Sequence, residues 1–283
     1  MESLSQELVD AIIEEVSCSF FHHGPSPSLC ATSLVCRSWL PTSQRLLFHS
    51  LDLTFSCEYQ EQPRNYQQLY GALLESPHLA GYVKHLTVTL TTTTLSMNGT
   101  LPLFLRKLGN LEKLSLYTIP DDVYWGDLDL DLRQAVFWVF QLPSMRLADI
   151  HCPFVNMNEL TSFLHHTRFL PSLCLYRGFH QLSLEEEVGQ QEDVAGQQEN
   201  DDEHERLDPG HLSQLCLDFY FKSNYPTFIA WLLGPRSYFI VENIHTLTIS
   251  SIRHLEDGNS IHQLLHAIAT PLKRLVLAMH RGK

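Results

Sequence analysis

Positive charge is scarce in this sequence. Nineteen Lys and Arg stand against 32 Asp and Glu, a net charge of −13. No basic stripe exists to neutralise phosphates, so no nucleic-acid-binding surface is expected. No apolar run approaches the roughly 18 residues that a membrane span needs. The opening "MESLSQELVDAIIEEV" places acidic and no basic side chains ahead of its apolar run, the wrong start for a secretory signal. No C-x-x-C occurs, and the cysteines are odd in number at 7, so buried free thiols in a reducing compartment are expected. Cytoplasm or nucleus follows by elimination, and the sequon at Asn98 is then expected to stay bare. Catalytic signatures are missing too: no H-E-x-x-H, G-x-S-x-G, phosphate loop or dinucleotide fingerprint. "DLDLD" at 127–131 copies the first three ligand positions of a calcium loop. Leu132 then replaces the required Gly, and Trp138 stands where a bidentate Glu belongs. The pairs His22–His23 and His165–His166 are adjacent, and adjacent side chains on a helix diverge. Neither catalytic residue, nor cofactor, nor metal ligand is expected, and a metal-dependent hydrolase is a remote alternative.

The negative charge is concentrated. Residues 185–208, "EEEVGQQEDVAGQQENDDEHERLD", hold eleven acids and one base, a net of −10 that leaves −3 for the rest. So polar a stretch buries too little apolar surface to repay its ordering entropy, so a disordered insert is expected there.

What the sequence does contain is a repeat. The pattern apolar-x-x-apolar-x-apolar reads "FHSLDL" at 48–53, "VKHLTV" at 83–88, "LEKLSL" at 111–116 and "LPSMRL" at 142–147. It continues as "LPSLCL" at 170–175, "LSQLCL" at 212–217, "IHTLTI" at 244–249 and "LKRLVL" at 272–277. "FHQLSL" at 179–184 fits as well, only nine residues after its neighbour, and leaves one register open. The fourth and sixth positions alternate as in a strand, so both face one side. Helix-like stretches such as "NYQQLYGALLES", "LRQAVFWVFQ" and "NELTSFLHH" lie between the copies. One strand and one helix per roughly 30 residues stack into a solenoid with a parallel sheet. From residue 48 to 283 the chain resembles the leucine-rich repeats, and that resemblance implies a concave sheet that binds a protein. The family's Asn or Cys beyond the last Leu is absent: Ser56, Thr91, Ile119, Ile150, Gly178, Tyr220, Ile252 and His280 stand there. An irregular solenoid is therefore expected. The side chains between the fourth and sixth positions should point away from the core: Asp52, Thr87, Ser115, Arg146, Cys174, Cys216, Thr248 and Val276. Tyr117, Tyr176 and Asp218 follow two places on. Substrate contacts are expected from Ser115, Tyr117, Arg146, Cys174, Tyr176, Cys216, Asp218 and Thr248. Cys174 and Cys216 should lie side by side, within reach of a disulfide under oxidation.

Residues 1–47 break the period and read as three short helices. In "LSQELVDAIIEEV", Leu4, Leu8, Ile12 and Val16 recur every four residues, and Val9 and Ile13 widen the stripe. A second apolar segment runs from Leu29 to Trp39, and Pro41 suits the first turn of a third helix. So small a module must lean on something else. Leu4-Ser5-Gln6-Glu7-Leu8 and Val35-Cys36-Arg37-Ser38-Trp39 resemble the F-box, with Ser5 in place of the usual Pro. The whole chain is similar to fungal F-box proteins with degenerate leucine-rich repeats. That resemblance implies docking on a Skp-type adaptor, and through it a cullin scaffold, by Leu4, Leu8, Ile12, Leu34, Val35 and Trp39. It also implies an unidentified protein substrate on the repeats, with the chain acting as the non-catalytic receptor of a ubiquitin ligase. Leu8 and Ile12 are expected to stay partly uncovered, and Trp39 to be largely buried while tying the module to the repeats. A repeat scaffold outside the ubiquitin system is the alternative.

Overall fold

The computed structural model describes residues 5–18, 27–53, 63–91, 99–119, 123–179, 212–219, 224–252, 255–268 and 272–279. Among the described residues the fold is mixed α/β, with eight strands following one another in chain order in a parallel sheet. A parallel order requires a crossover before each strand, since the chain must return, and several of the described crossovers carry a helix. The described residues form two compact units. One lies within Met1–Tyr117 and Leu130–Met145, the other within Thr118–Asp129 and Arg146–Lys283. Leu4, Asn98, the acidic segment 185–208 and most of "FHQLSL" lie outside the described residues.

The first unit opens with three helices, α1 (Gln6–Cys18), α2 (Pro27–Thr32) and α3 (Leu40–His49). Strand β1 (Ser50–Leu53) follows directly. Then come α4 (Pro63–Glu75), β2 (His85–Thr91), α5 (Thr100–Leu105), β3 (Lys113–Ile119) and α6 (Leu130–Phe140). Val9, Ile13 and Leu29 bury together, and Trp39, Leu46 and Leu47 pack against them. The four-residue stripe of α1 thus splits. Val9 and Ile13 face inward, while Leu8 and Ile12 face out. Leu86, Leu114 and Leu116 are buried as the repeat demands.

Two expectations fail here. The second helix ends at Thr32 rather than at Trp39, and "VCRSW" runs through turns. Ser33 Oγ donates to the Cys30 carbonyl at 2.7 Å, occupying an acceptor that the next helical turn would use. The amides of Leu34 and Val35 then bond three residues back, tightening the end. Trp39 is half-buried against the helical core rather than buried against the repeats. Trp39→Ala should therefore cost roughly 1–3 kcal/mol rather than the 3–5 of a fully buried aromatic. Urea denaturation of the two proteins measures the difference.

The second unit holds β4 (Leu147–His151), α7 (Met157–Thr167), β5 (Ser172–Tyr176) and β6 (Gln214–Asp218). It is completed by α8 (Asn224–Leu232), β7 (Thr246–Ile252), α9 (Leu255–Ala267) and β8 (Arg274–Met279). Asn156 caps α7, its side chain accepting from the Glu159 amide at 2.9 Å. Behind it Trp125 meets Phe163 edge-on at 4.8 Å, and Phe154 lies 5.1 Å from Phe163. Leu173, Leu175, Leu215, Leu217, Leu247 and Ile249 are buried along the strands. Leu275 and Leu277, on β8, are exposed.

Strand entry recurs with one geometry. The Pro171 carbonyl accepts from both Ser213 and Gln214, Ser213 from His245 and Thr246, and His245 from Lys273 and Arg274. In the first unit Lys84 accepts likewise from Glu112 and Lys113. Each acceptor sits two residues before the fourth position of the sequence pattern, so the pattern and the backbone share a period there.

Candidate interaction surfaces

On the first unit the candidate surface is the outside of the helical module. Gln6 Nε2 donates to Asp10 Oδ1 at 2.8 Å and to the Ser38 carbonyl at 3.1 Å, which brings the 33–38 turn beside α1. Thr42 Oγ1 donates to the same Asp10 oxygen at 2.5 Å, and Arg45 pairs with Glu14 at 3.0 Å. The Thr42 and then the Gln6 hydrogen bond hold the Asp10 carboxyl below its ordinary value. These ties set the rotation of α1 and leave Leu8 and Ile12 outward, 55% and 42% exposed. In the turn, Leu34 and Val35 are 86% and 60% exposed. Of the expected adaptor contacts, Leu8, Ile12, Leu34 and Val35 are thus free apolar surface, whereas Trp39 supports the module from within. Leu4 lies outside the described residues. Contiguous exposed apolar patches, rather than singly scattered residues, are what mark interaction sites.

On the second unit the candidate surface is the sheet face opposite the buried leucines. The register aligns Asp149, Cys174, Cys216, Thr248 and Val276 across β4 to β8. Tyr176, Asp218 and Ser250 align in the next row. Cys174, Cys216, Tyr176, Asp218 and Thr248 therefore sit where the repeat places them. Arg146 does not. It is exposed one residue before β4, and Asp149 occupies the row instead. Ala148 and Ile150 are the inward pair of β4, in a copy read "MRLADI" at 145–150. The apolar Leu142, Met145 and Leu147 imitate the motif three residues early. In the first unit Tyr117 is half-buried, whereas Ser115 is 2% exposed and so does not lie open.

The sequence reading missed His151 as well as Asp149. The His151 ring stacks on Tyr176 at 3.7 Å with 7° between planes, and its Nε2 lies 3.4 Å from Asp149 Oδ1. Cys216 Sγ lies 3.9 Å from the Tyr176 hydroxyl. Burial, then the neighbouring Cys216 thiol and Asp149, push the Tyr176 hydroxyl up, so it stays neutral. This face offers a flat aromatic pair, two thiols and hydroxyls as surface for contact. Asp127 is spent on closing its own turn, accepting from the Tyr124 amide at 2.9 Å. Asp131 pairs with Arg106 at 2.5 Å in the first unit. Among the described residues no group of three or more His, Cys, Asp and Glu is placed to hold a metal ion. None of the described helices is long and apolar enough to cross a membrane.

Partial burial lowers the proton affinity of His85, His165 and His166 below the ordinary imidazole value, burial being the largest cause for each. In that situation the unfolded chain binds more protons than the folded one as pH drops below about 6.5. Stability should be complete above that pH and fall on acidification through the lowered folded values. Thermal melts at neutral pH and in mild acid check this, and a midpoint unchanged or higher in mild acid would contradict it.

No protein-family model matches this chain. Comparison with curated proteins finds no match either.

Proposed function

We propose that this chain is the substrate-recognition subunit of a Skp-cullin-F-box ubiquitin ligase in the cytoplasm or nucleus. Its three N-terminal helices form an F-box that docks on a Skp-type adaptor, and its strand–helix repeats bind the target protein. The observation that carries the reading is the split stripe of α1. Val9 and Ile13 complete the module's own core while Leu8 and Ile12, with Leu34 and Val35, stay uncovered. A module built only to cap a repeat array would turn that stripe toward the array. The "VCRSW" likeness adds to it, although that segment takes turns rather than a helix. The target is assigned to the β4–β7 face, where Tyr176 and His151 supply the aromatic anchor that interfaces favour. Catalysis then belongs to other subunits, and this chain supplies binding alone. Co-expression with a Skp-type adaptor, followed by size-exclusion chromatography, tests the reading. A stoichiometric complex is the expected result. Separate elution of two folded proteins would leave a repeat scaffold outside the ubiquitin system.

A further inference from the structure

We propose that Cys174 and Cys216 form an oxidisable thiol pair, a reversible modification site on the face of β5 and β6 that turns away from the core. The two residues are direct partners in the parallel register. Their strand neighbours Leu173, Leu175, Leu215 and Leu217 are buried, so alternation turns both thiols to the opposite face. Adjacent strands lie about 4.8 Å apart, inside the roughly 4.4–6.8 Å between Cα atoms that a disulfide spans. Both thiols are only half-buried, so an oxidant reaches them.

A thiol directly opposite on the neighbouring strand distinguishes these two sulfurs. Hydrogen bonds with Cys174, then with the Tyr176 hydroxyl, hold the Cys216 thiol below its ordinary value. Cys152, by contrast, is fully buried, and that burial pushes its thiol up, so it is inert. Cys30 and Cys36 are exposed on the helical module of the other unit, where the Ser38 hydroxyl also holds the Cys36 thiol below its ordinary value. Cys216 is therefore the attacking sulfur, and Cys174 the one that resolves it.

The oxidant is a peroxide. The Cys216 thiolate attacks one peroxide oxygen and the O–O bond breaks. This leaves a sulfenic acid on Cys216 and a hydroxide that takes a proton to become water. Cys174 gives up its proton and attacks the Cys216 sulfur; the S–O bond breaks, a second water departs and the S–S bond forms. The two thiols lose two electrons and the peroxide gains them. Side chains standing parallel on neighbouring strands meet less closely than a relaxed disulfide prefers, so a dithiol reductant should reopen the bond readily. Oxidation also removes the Cys216 contact to Tyr176, which is stacked on His151. This chemistry holds whatever that face binds.

Non-reducing peptide mapping by mass spectrometry tests the pair in the full chain, reduced first and then exposed to hydrogen peroxide. The expected product is one dominant intramolecular link between the Cys174 and Cys216 peptides, two hydrogens lighter and reversed by dithiothreitol. In Cys174→Ser, dimedone should label Cys216; in Cys216→Ser, Cys174 should stay unlabelled. The wild-type map alone decides the matter even if a variant folds poorly. A map in which Cys36 is oxidised while Cys174 and Cys216 remain thiols overturns the proposal, as does a dominant link between any other two cysteines.

Discussion

A Leu8→Asp, Ile12→Asp double variant should lose affinity for the Skp-type adaptor by at least about 100-fold, while melting as the parent does. In the free protein both side chains are more than two-fifths exposed, so the new carboxylates are hydrated and cost the fold little. Against the adaptor each would be buried without a partner, a penalty of roughly 3 kcal/mol or more, which is two decades or more in affinity. The neighbouring inward positions behave oppositely. Ile13 is fully buried, so a charge there would unfold the module and say nothing about docking. Calorimetric titration of parent and variant with purified adaptor reads the affinity, and a thermal melt reads the fold. Equal affinities would remove Leu8 and Ile12 from the interface.

Gly178→Ala should lower stability by roughly 2–4 kcal/mol, the largest effect expected from so small a change. Gly178 has φ +71°, where a Cβ costs roughly 1–2 kcal/mol in backbone strain. That Cβ would also stand 2.5 Å from Asn224 Nδ2 and 3.0 Å from the Phe219 ring. Asn224 is fully buried and donates to the Phe179 carbonyl at 2.8 Å, so it cannot yield without breaking a buried hydrogen bond. Gly258 supplies the contrast. It lies within α9 with open space around it, and Gly258→Ala should raise stability by up to about 1 kcal/mol through helix propensity. Denaturant midpoints of the two variants should therefore move in opposite directions. A neutral Gly178→Ala would show that the turn after β5 is not constrained as described.

These two sites show how far the sequence could be read. The motif copies at 170–175, 212–217 and 244–249 are strong in Leu and Ile, and they predict the pairing of Cys174 with Cys216 and of Cys216 with Thr248 that the strands adopt. The copy in β4 was misplaced because Ala148 carries too little apolar weight to register as core. Burial there depends on position rather than on hydrophobicity, and the error hid both Asp149 and His151. In the helical module, periodicity showed that α1 was amphipathic. It could not say which half of a wide stripe meets α2 and α3, since the hydrogen bonds of Asp10 with Gln6 and Thr42 make that choice. The turn after β5 was marked only by an absence. The position beyond the last Leu held Gly178 rather than the expected Asn. The buried amide there comes from Asn224, 46 residues on in sequence and beyond the reach of local pattern. Tyr225, beside it, bonds the Leu217 and Ser250 carbonyls and the Phe219 amide, and so ties the ends of β6 and β7. Only the folded chain brings these groups together.

The central claim is that the exposed apolar residues of the helical module are an adaptor-docking surface, separate from the β4–β7 face. Amide hydrogen exchange of the full chain, with and without a saturating Skp-type adaptor, tests it most directly. The account predicts slowed exchange in α1 and in the turn at 33–40, with β4 to β7 unchanged. Slowing confined to β4–β7 while α1 exchanges as before would contradict it, and so would identical exchange throughout at adaptor concentrations that saturate a known F-box.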